Sequence, residues 1–519
     1  MAFIDSTALN VVLPSLQKSL HASASDLFWI LNAYLLMLAA LILVGGSLGD
    51  RLGRKRIFMI GIFVFICASV ACGLAPDTGA FIGFRVVQGM GGALMIPGSL
   101  SLLSSSIDEK ERGKAIGTWS AITTIVTIGG PVLGGALADA GLWRHIFFIN
   151  VPIGLIALLI LWRRVAESKE VEAEVGRAEV GRAPKSEGRH RSDGGRHRSD
   201  GSELDLPGVV SIALGLAALT FGFLRMPTAG FSHWAVSGSL SLGILLLVVF
   251  VAIERKSSHP MMPLHLFANR TFAGVNLLTF FLYAGLSSAM LFLSLNLVQA
   301  QGYSQLESGL AFLPFTLLMI LIARPAGMLA DKIGSRPFLI AGPALTGCGM
   351  LILSFTGETN GPASYWTSFL PGLLVFGLGM SFTVAPLTTT VMTAVSDQYS
   401  GVASGINNAL TRVANVFANA IFGALAVLLF TQALHHQLDP MPMLPAARQQ
   451  VMAQAADLGN AHVPASAPVT EKAAVAGAYR YGFILVYQQI MRLSASLAFL
   501  GSIMVLLFVR RRRPSVLTQ

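Results

Sequence analysis

Asp5 is the only carboxylate that can be placed well inside an apolar run of this 519-residue chain, and Arg85 lies in another otherwise apolar stretch. An acid withdrawn into low dielectric can exchange protons near neutral pH. Asp5 is therefore the candidate proton carrier, unless its helix starts so late that it caps the water interface. An unpaired guanidinium in hydrocarbon is expensive, so Arg85 should face a protein interior, with Asp5, Gln88 or a bound anion as partner. The alternative for Arg85 is a purely structural pair or backbone clamp. Asn408, Arg412, Asn415 and Asn419 are spaced four, three and four apart, which puts them on one helical face. Such a stripe should line a substrate cavity or form hydrogen bonds between helices. Asn10, Asn32, Tyr34 and Gln88 are further cavity candidates, with Asn276 and Asn296 behind them.

These residues are carried on elements that composition defines. The chain is 54% hydrophobic and 12% charged, with a mean hydropathy of +0.67, whereas soluble domains carry about 25% charged residues. A water-soluble enzyme is nearly excluded. Fourteen apolar runs can be drawn, from 1–20 to 485–509, including 114–138 and 402–434. In lipid they must be helices, because backbone polar groups find partners only within their own segment and barrel-type alternation is missing. The expected fold is an all-α polytopic membrane protein.

The formal charge of +10 does not point to nucleic acid, since the basic residues sit in short loops between apolar runs. Of the 36 Lys and Arg, 26 fall in loops on one side, which predicts both termini in the cytoplasm of a multi-pass cell-membrane protein. Residues 166–206 hold two short repeats, lack aromatics and read as a disordered cytoplasmic linker. A polar insert at 435–478 is expected outside the membrane, with a short helix near Pro445 to Leu458. Cys67, Cys72 and Cys348 read as packing residues, and no metal site can be drawn. From Met1 the first run reaches only Leu16, roughly 24 Å at 1.5 Å per residue, against a core of about 30 Å. Either the start codon is placed late or this helix begins among the headgroups. Ala22-Ser23-Ala24 looks like a signal-peptide cleavage site, but Asp5 replaces the positive n-region such a peptide needs.

A repeat is visible. Gly46 to Arg56, with Asp50, Gly53 and Arg54, recurs as Gly327 to Arg336, with Asp331 and Gly334. Arg112-Gly113 to Gly117 echoes Ser400-Gly401 to Gly405. Two pseudo-symmetric six-helix bundles follow, at 1–165 and 257–513, with two inserted transmembrane helices at 207–256.

Four motifs in order, Asp5 to Pro14, Gly46 to Arg56, Phe84-Arg85 to Gly92 and Gly130-Pro131-Val-Leu-Gly134-Gly135, resemble the major facilitator superfamily, specifically its fourteen-helix drug:proton antiporter branch. The resemblance covers nearly the whole chain and implies that Asp5 and Arg85 take part in proton coupling. It also implies a cytoplasmic gate in which Asp50, Arg54 and Arg112 change charge pairing, with Asp331 a weaker copy in the second half. Orientation by positive charge accounts for part of the same basic run. Gly130, Pro131, Gly134 and Gly135 would form the antiporter motif, although glycine packing between membrane helices gives the same pattern.

The expected activity is export of small hydrophobic or amphipathic compounds by drug:proton antiport through alternating access. A proton gradient, with no bound cofactor, supplies the energy. Expected partners are the lipid bilayer and the substrates; a monomer suffices. The alternatives are a dedicated exporter of one endogenous metabolite or lipid, or a proton symporter. No Gly-x-x-x-x-Gly-Lys-[Ser/Thr] string supports an ATP-driven pump, and no metal or nucleophile motif supports an enzyme.

Overall fold

The computed structural model describes residues 1–106, 123, 126, 129–165, 205–257, 260, 262–396, 399–441, 443, 445–461, 463 and 469–509. Arg112, most of the 166–206 linker, Arg510 to Arg513 and the beginning of the fifth apolar run lie outside them, as does the Asp50 side chain.

Among the described residues the chain is helical and without strands. Its main helices are α1 (Ala2–Leu20), α2 (Ala24–Leu52), α3 (Arg54–Leu74), α4 (Thr78–Ser106), α5 (129–139), α6 (His145–Arg164), α7 (Leu206–Ala229) and α8 (Trp234–Lys256). They continue with α9 (Arg270–Ala300), α10 (Gln305–Ile333), α11 (Ser335–Ser354), α12 (Leu370–Thr393), α13 (Ser400–Leu438) and α14 (Val469–Phe508). Twelve of them are long and apolar enough to cross a membrane. The other two are α1, diluted by polar residues from Asp5 to Lys18, and the described part of α5.

Packing follows the repeat. In the first half α4 lies against α2 and α3; in the second, α11 lies against α12 and α14, and α9 against α13 and α14. The inserted pair α7–α8 covers α2 and α13, where Leu216 joins Leu36, Ala39 and Val416.

The duplicated loop makes the same turn twice. Gly53 and Gly334 have φ of 108° and 94°, backbone that a Cβ disfavours. Their N–H groups donate to Gly49 O (3.1 Å) and Ala330 O (2.8 Å), four residues back. Two residues past each glycine a cation caps another helix end. Lys55 Nζ donates to Val165 O (2.6 Å) after α6, and Arg336 Nη2 to Leu506 O (3.2 Å) in the last turn of α14, where the negative end of a helix favours a cation.

Two boundaries move. The polar insert expected at 435–478 shrinks, because α13 runs on to Leu438 and α14 begins at Val469. Hydropathy ends where a helix leaves apolar surroundings, whereas its hydrogen bonds continue into polar sequence. Between them a short helix, Pro445–Ala453, and a 3-10 segment, Gln454–Asn460, fold back onto the bundle. The cleavage-like Ala22-Ser23-Ala24 has a structural role: Ser23 Oγ accepts from Asp26 N, and the Asp26 carboxylate accepts from Ser23 N, a capping box that starts α2. Of the cysteines expected to pack, Cys72 is buried but Cys67 and Cys348 are exposed.

Candidate functional site

Asp5 is 1% exposed, so the reading of it as an interfacial cap is set aside. One turn into α1 its carboxylate points at α4. Arg85 Nη1 donates to Asp5 Oδ2 (2.5 Å) and to Gln88 Oε1 (2.7 Å), while Gln88 Nε2 donates to Asp5 Oδ1 (3.0 Å). Arg85 and Gln88, three apart on α4, thus grip the carboxylate from one face. Gln88, expected in the substrate path, is instead sealed within this network at 0% exposure.

Three more helices close the network. Gln88 Nε2 reaches Ser69 Oγ on α3 (3.4 Å), Asn150 Nδ2 of α6 donates to the same hydroxyl (2.9 Å), and Ser69 Oγ donates to Phe147 O (2.8 Å). Arg85 Nε reaches Ile30 O on α2 (3.4 Å), and its guanidinium lies 4.4 Å from the centroid of the Tyr34 ring. Nearly every polar atom here has a partner, which a buried ion pair needs if it is not to be a net liability. Sequence reading missed Ser69 and Asn150, since one serine and one asparagine in apolar helices carry no signature of their own.

The α13 stripe faces α2 and α9. Asn419 (3% exposed) accepts from Ser287 Oγ through Oδ1 (3.2 Å). With its amide oriented so that Nδ2 donates, Asn415 bonds Tyr283 O and Thr411 O, 3.2 Å each. Arg412 is half-buried, within electrostatic reach of the Tyr34 and Tyr283 hydroxyls. Asn408 is exposed and donates to Ser404 O of its own helix. Exposure therefore falls along the stripe from Asn408 to Asn419. Asn10 is half-buried on α1, and its carbonyl accepts from Ser294 Oγ on α9 (3.3 Å). Asn32 is fully buried with both amide atoms unpartnered, so it faces packing and not open space. Asn276 is a structural link, because the unremarked Asn407 donates to its Oδ1 (3.1 Å) and to Thr279 Oγ1 (2.7 Å).

At the opposite end the halves are closed on each other. A Cβ at Gly130 or Gly134 would strike Thr7 and Ala8 of α1; one at Gly135 would strike the backbone of Gln305 and Leu306 of α10; and one at Gly309 would strike the Pro131 carbonyl. Here the motif glycines let α5 touch both α1 and α10. Asp139, missed in the sequence, completes the junction: its two carboxylate oxygens accept from Gln305 N and Leu306 N, 2.9 Å each, at the start of α10. Gln305 Nε2 also donates to Ser15 Oγ, Gln299 Nε2 to Gln17 Oε1 (3.3 Å) and Gln17 Nε2 to Asp457 O (3.4 Å). On this same face burial pushes the Tyr303 and Tyr365 hydroxyls up to about 12.

Of the expected gate, Asp331 is exposed, with no ion pair among the described residues; Arg54 is half-buried at the start of α3. No cluster of three metal-ligating side chains occurs among the described residues.

A sealed carboxylate–guanidinium pair in one half of a bundle of membrane-length helices, with a polar stripe on α13 in the other, marks a polytopic membrane carrier. Comparison with known proteins gives the family: residues 1–419 match the Major Facilitator Superfamily, and the chain belongs to it. The Multidrug resistance protein Stp of Mycobacterium tuberculosis (strain CDC 1551 / Oshkosh) is 30% identical over 471 residues, covering 90% of this chain and 82% of that protein. The Tetracenomycin C resistance and export protein of Streptomyces glaucescens is 30% identical over 427 residues, covering 82% and 73%. In fold the chain is similar to a bacterial homolog of the human lysosomal transporter Spinster (TM-score 0.62, 17% identity, 99% of this chain and 96% of that one). It is similar too to the xylose transporter XylE from E. coli (TM-score 0.55, 14% identity, 99% and 95%). It is a multi-pass membrane transporter of small molecules and not an enzyme.

Proposed function

We propose that this transporter exports small amphipathic compounds in exchange for protons by alternating access, with the proton gradient as energy source and no bound cofactor. The observation that carries the reading is the Asp5–Arg85–Gln88 cluster: a carboxylate sealed from water and held by groups that must let go when it takes up a proton. The export and resistance functions in the names of the two relatives support the direction.

In this reading both termini and the Gly53 face are cytoplasmic, following the Lys and Arg tally, and the Asp139 junction closes the outer side. The described state then admits substrate from the cytoplasm along the Asn408–Arg412–Asn415 face. Outward opening breaks the Asp139 and Gln17 contacts, and Asp5 is protonated from outside as substrate leaves. Reclosing carries the proton inward, where it is discharged. Asp50, Arg54 and Arg112 form the cytoplasmic latch, residues 1–165 and 257–513 are the moving halves, and a single copy suffices.

The test is efflux of a panel of lipophilic dyes and antibiotics from pump-deficient cells, with and without a protonophore, beside Asp5→Asn at matched expression. Several compounds should leave only when the gradient is intact, and Asp5→Asn should match empty vector. Export that survives the protonophore, or an active Asp5→Asn, overturns the proton assignment; a panel that does not move overturns the multidrug one.

A further inference from the structure

We propose that Arg412 is the recognition site for a negatively charged group, so that the preferred substrates are aromatic or amphipathic organic anions such as lipophilic carboxylates. This rests on the reading of the chain as an exporter and adds the substrate's chemical class.

Arg412 sits at mid-stripe on α13, half-buried, with no ion pair and no side-chain hydrogen bond among the described residues. A guanidinium at that depth is costly, and the buried carboxylate of Asp5 is already held by Arg85 and Gln88. Arg85 therefore has an internal counter-charge, whereas Arg412 has only the uncharged hydroxyls of Tyr34 and Tyr283 within electrostatic reach. Arg85 is thus neutralised inside the protein, whereas among the described residues no ion pair offsets Arg412. The planar fork of arginine suits a carboxylate bidentately.

The walls beside it select the rest of the molecule. Tyr283, half-buried on α9, is within electrostatic reach of Arg412. A phenol ring beside a cation fits an amphipathic anion better than a small inorganic one, and the positive charge disfavours lipophilic cations.

Export of a monoanion against one proton moves two positive charges inward, so transport would draw on the membrane potential as well as the pH gradient. Coupling then has to run through the alternation of the halves. An anion bound near Asp5 would favour proton uptake there, not displace it.

The test uses purified full-length protein and three aromatic probes of equal size: a carboxylate, its neutral carboxamide and a quaternary ammonium analogue. Wild type should bind the carboxylate at least tenfold more tightly than either of the others. Arg412→Gln should lose that preference while its affinity for the carboxamide stays within about twofold, which also reports a folded site. Arg412→Lys should keep part of it. Sodium chloride should compete only weakly. Equal affinity for the three probes in wild type, a cation preference, or an Arg412→Gln that still prefers the carboxylate overturns the proposal. Binding needs no proton gradient, so an anion preference with protonophore-resistant efflux would defeat the antiport reading and leave this one standing. Proton-driven efflux of cations with no anion preference would do the reverse.

Discussion

The Tyr34 ring lies 4.4 Å from the guanidinium carbon of Arg85, and the same tyrosine's hydroxyl is within electrostatic reach of Arg412. One α2 side chain thus lies between the sealed ion pair and Arg412. Tyr34→Phe keeps the ring under Arg85 and should leave thermal stability in detergent nearly unchanged. Tyr34→Leu removes a desolvated cation–π contact and should cost about 1–2 kcal/mol. Equal melting temperatures for the two variants would show that the stacking contributes nothing.

Removing one member of the buried pair leaves the other stranded. Arg85→Leu or Asp5→Leu alone should cost roughly 3–5 kcal/mol, whereas the double replacement should recover much of that loss. The recovery is read from thermal unfolding of the three variants. Additive losses would mean that the pair is not mutually dependent. Transport should be lost in all three.

The outer junction makes a positional prediction. Gly135→Ala and Gly309→Ala each push a methyl into backbone across the halves, while nothing lies within 4 Å of the Cβ that Gly129→Ala would add. The first two should open the outer seal, and the third should be silent. Asp139→Ala, which uncaps α10, should act in the same direction with a loss of about 0.5–2 kcal/mol. A Ser15→Cys reporter reads the change as faster reaction with a membrane-impermeant thiol reagent; unchanged rates in all three junction variants would remove the junction from the gate.

The raised Tyr303 and Tyr365 hydroxyls give a pH dependence. Their folded-state pKa, about 12, lies above the ordinary value of 10, so folding favours the protonated phenol. The contribution is complete below pH 10 and drains away as pH rises from 10 through 12. Tyrosinate absorbance should include a component that titrates above pH 11 in the folded protein and moves toward 10 after unfolding. Tyr303→Phe with Tyr365→Phe should remove that component.

Much of this was legible in sequence because apolar length, the duplicated loop and isolated ionisable residues are written locally. Asp5 and Arg85 announce each other, since each is too costly to leave alone in lipid. What stayed hidden depends on which helices meet. Ser69, Asn150 and Asn407 gain meaning only from partners 81 and 131 residues away. Asp139 looks like a loop acid until α10 is brought beneath it. Gln88 and Asn32 were placed in the cavity because polarity alone cannot say whether a side chain turns to a vestibule or to a packed neighbour.

Lys55 and Arg336 carry a consequence for synthesis. Each joins the third and last helices of its own half, across residues 110 and 170 positions apart. The first clasp can close as soon as Val165 has left the ribosome, before any of α7 to α14 exists. The second waits for Leu506, after α9 to α13 and most of α14 have been made. The nascent chain would then insert a fastened first half before the second is fastened, so the time between the two closures is when the protein depends most on the insertion machinery.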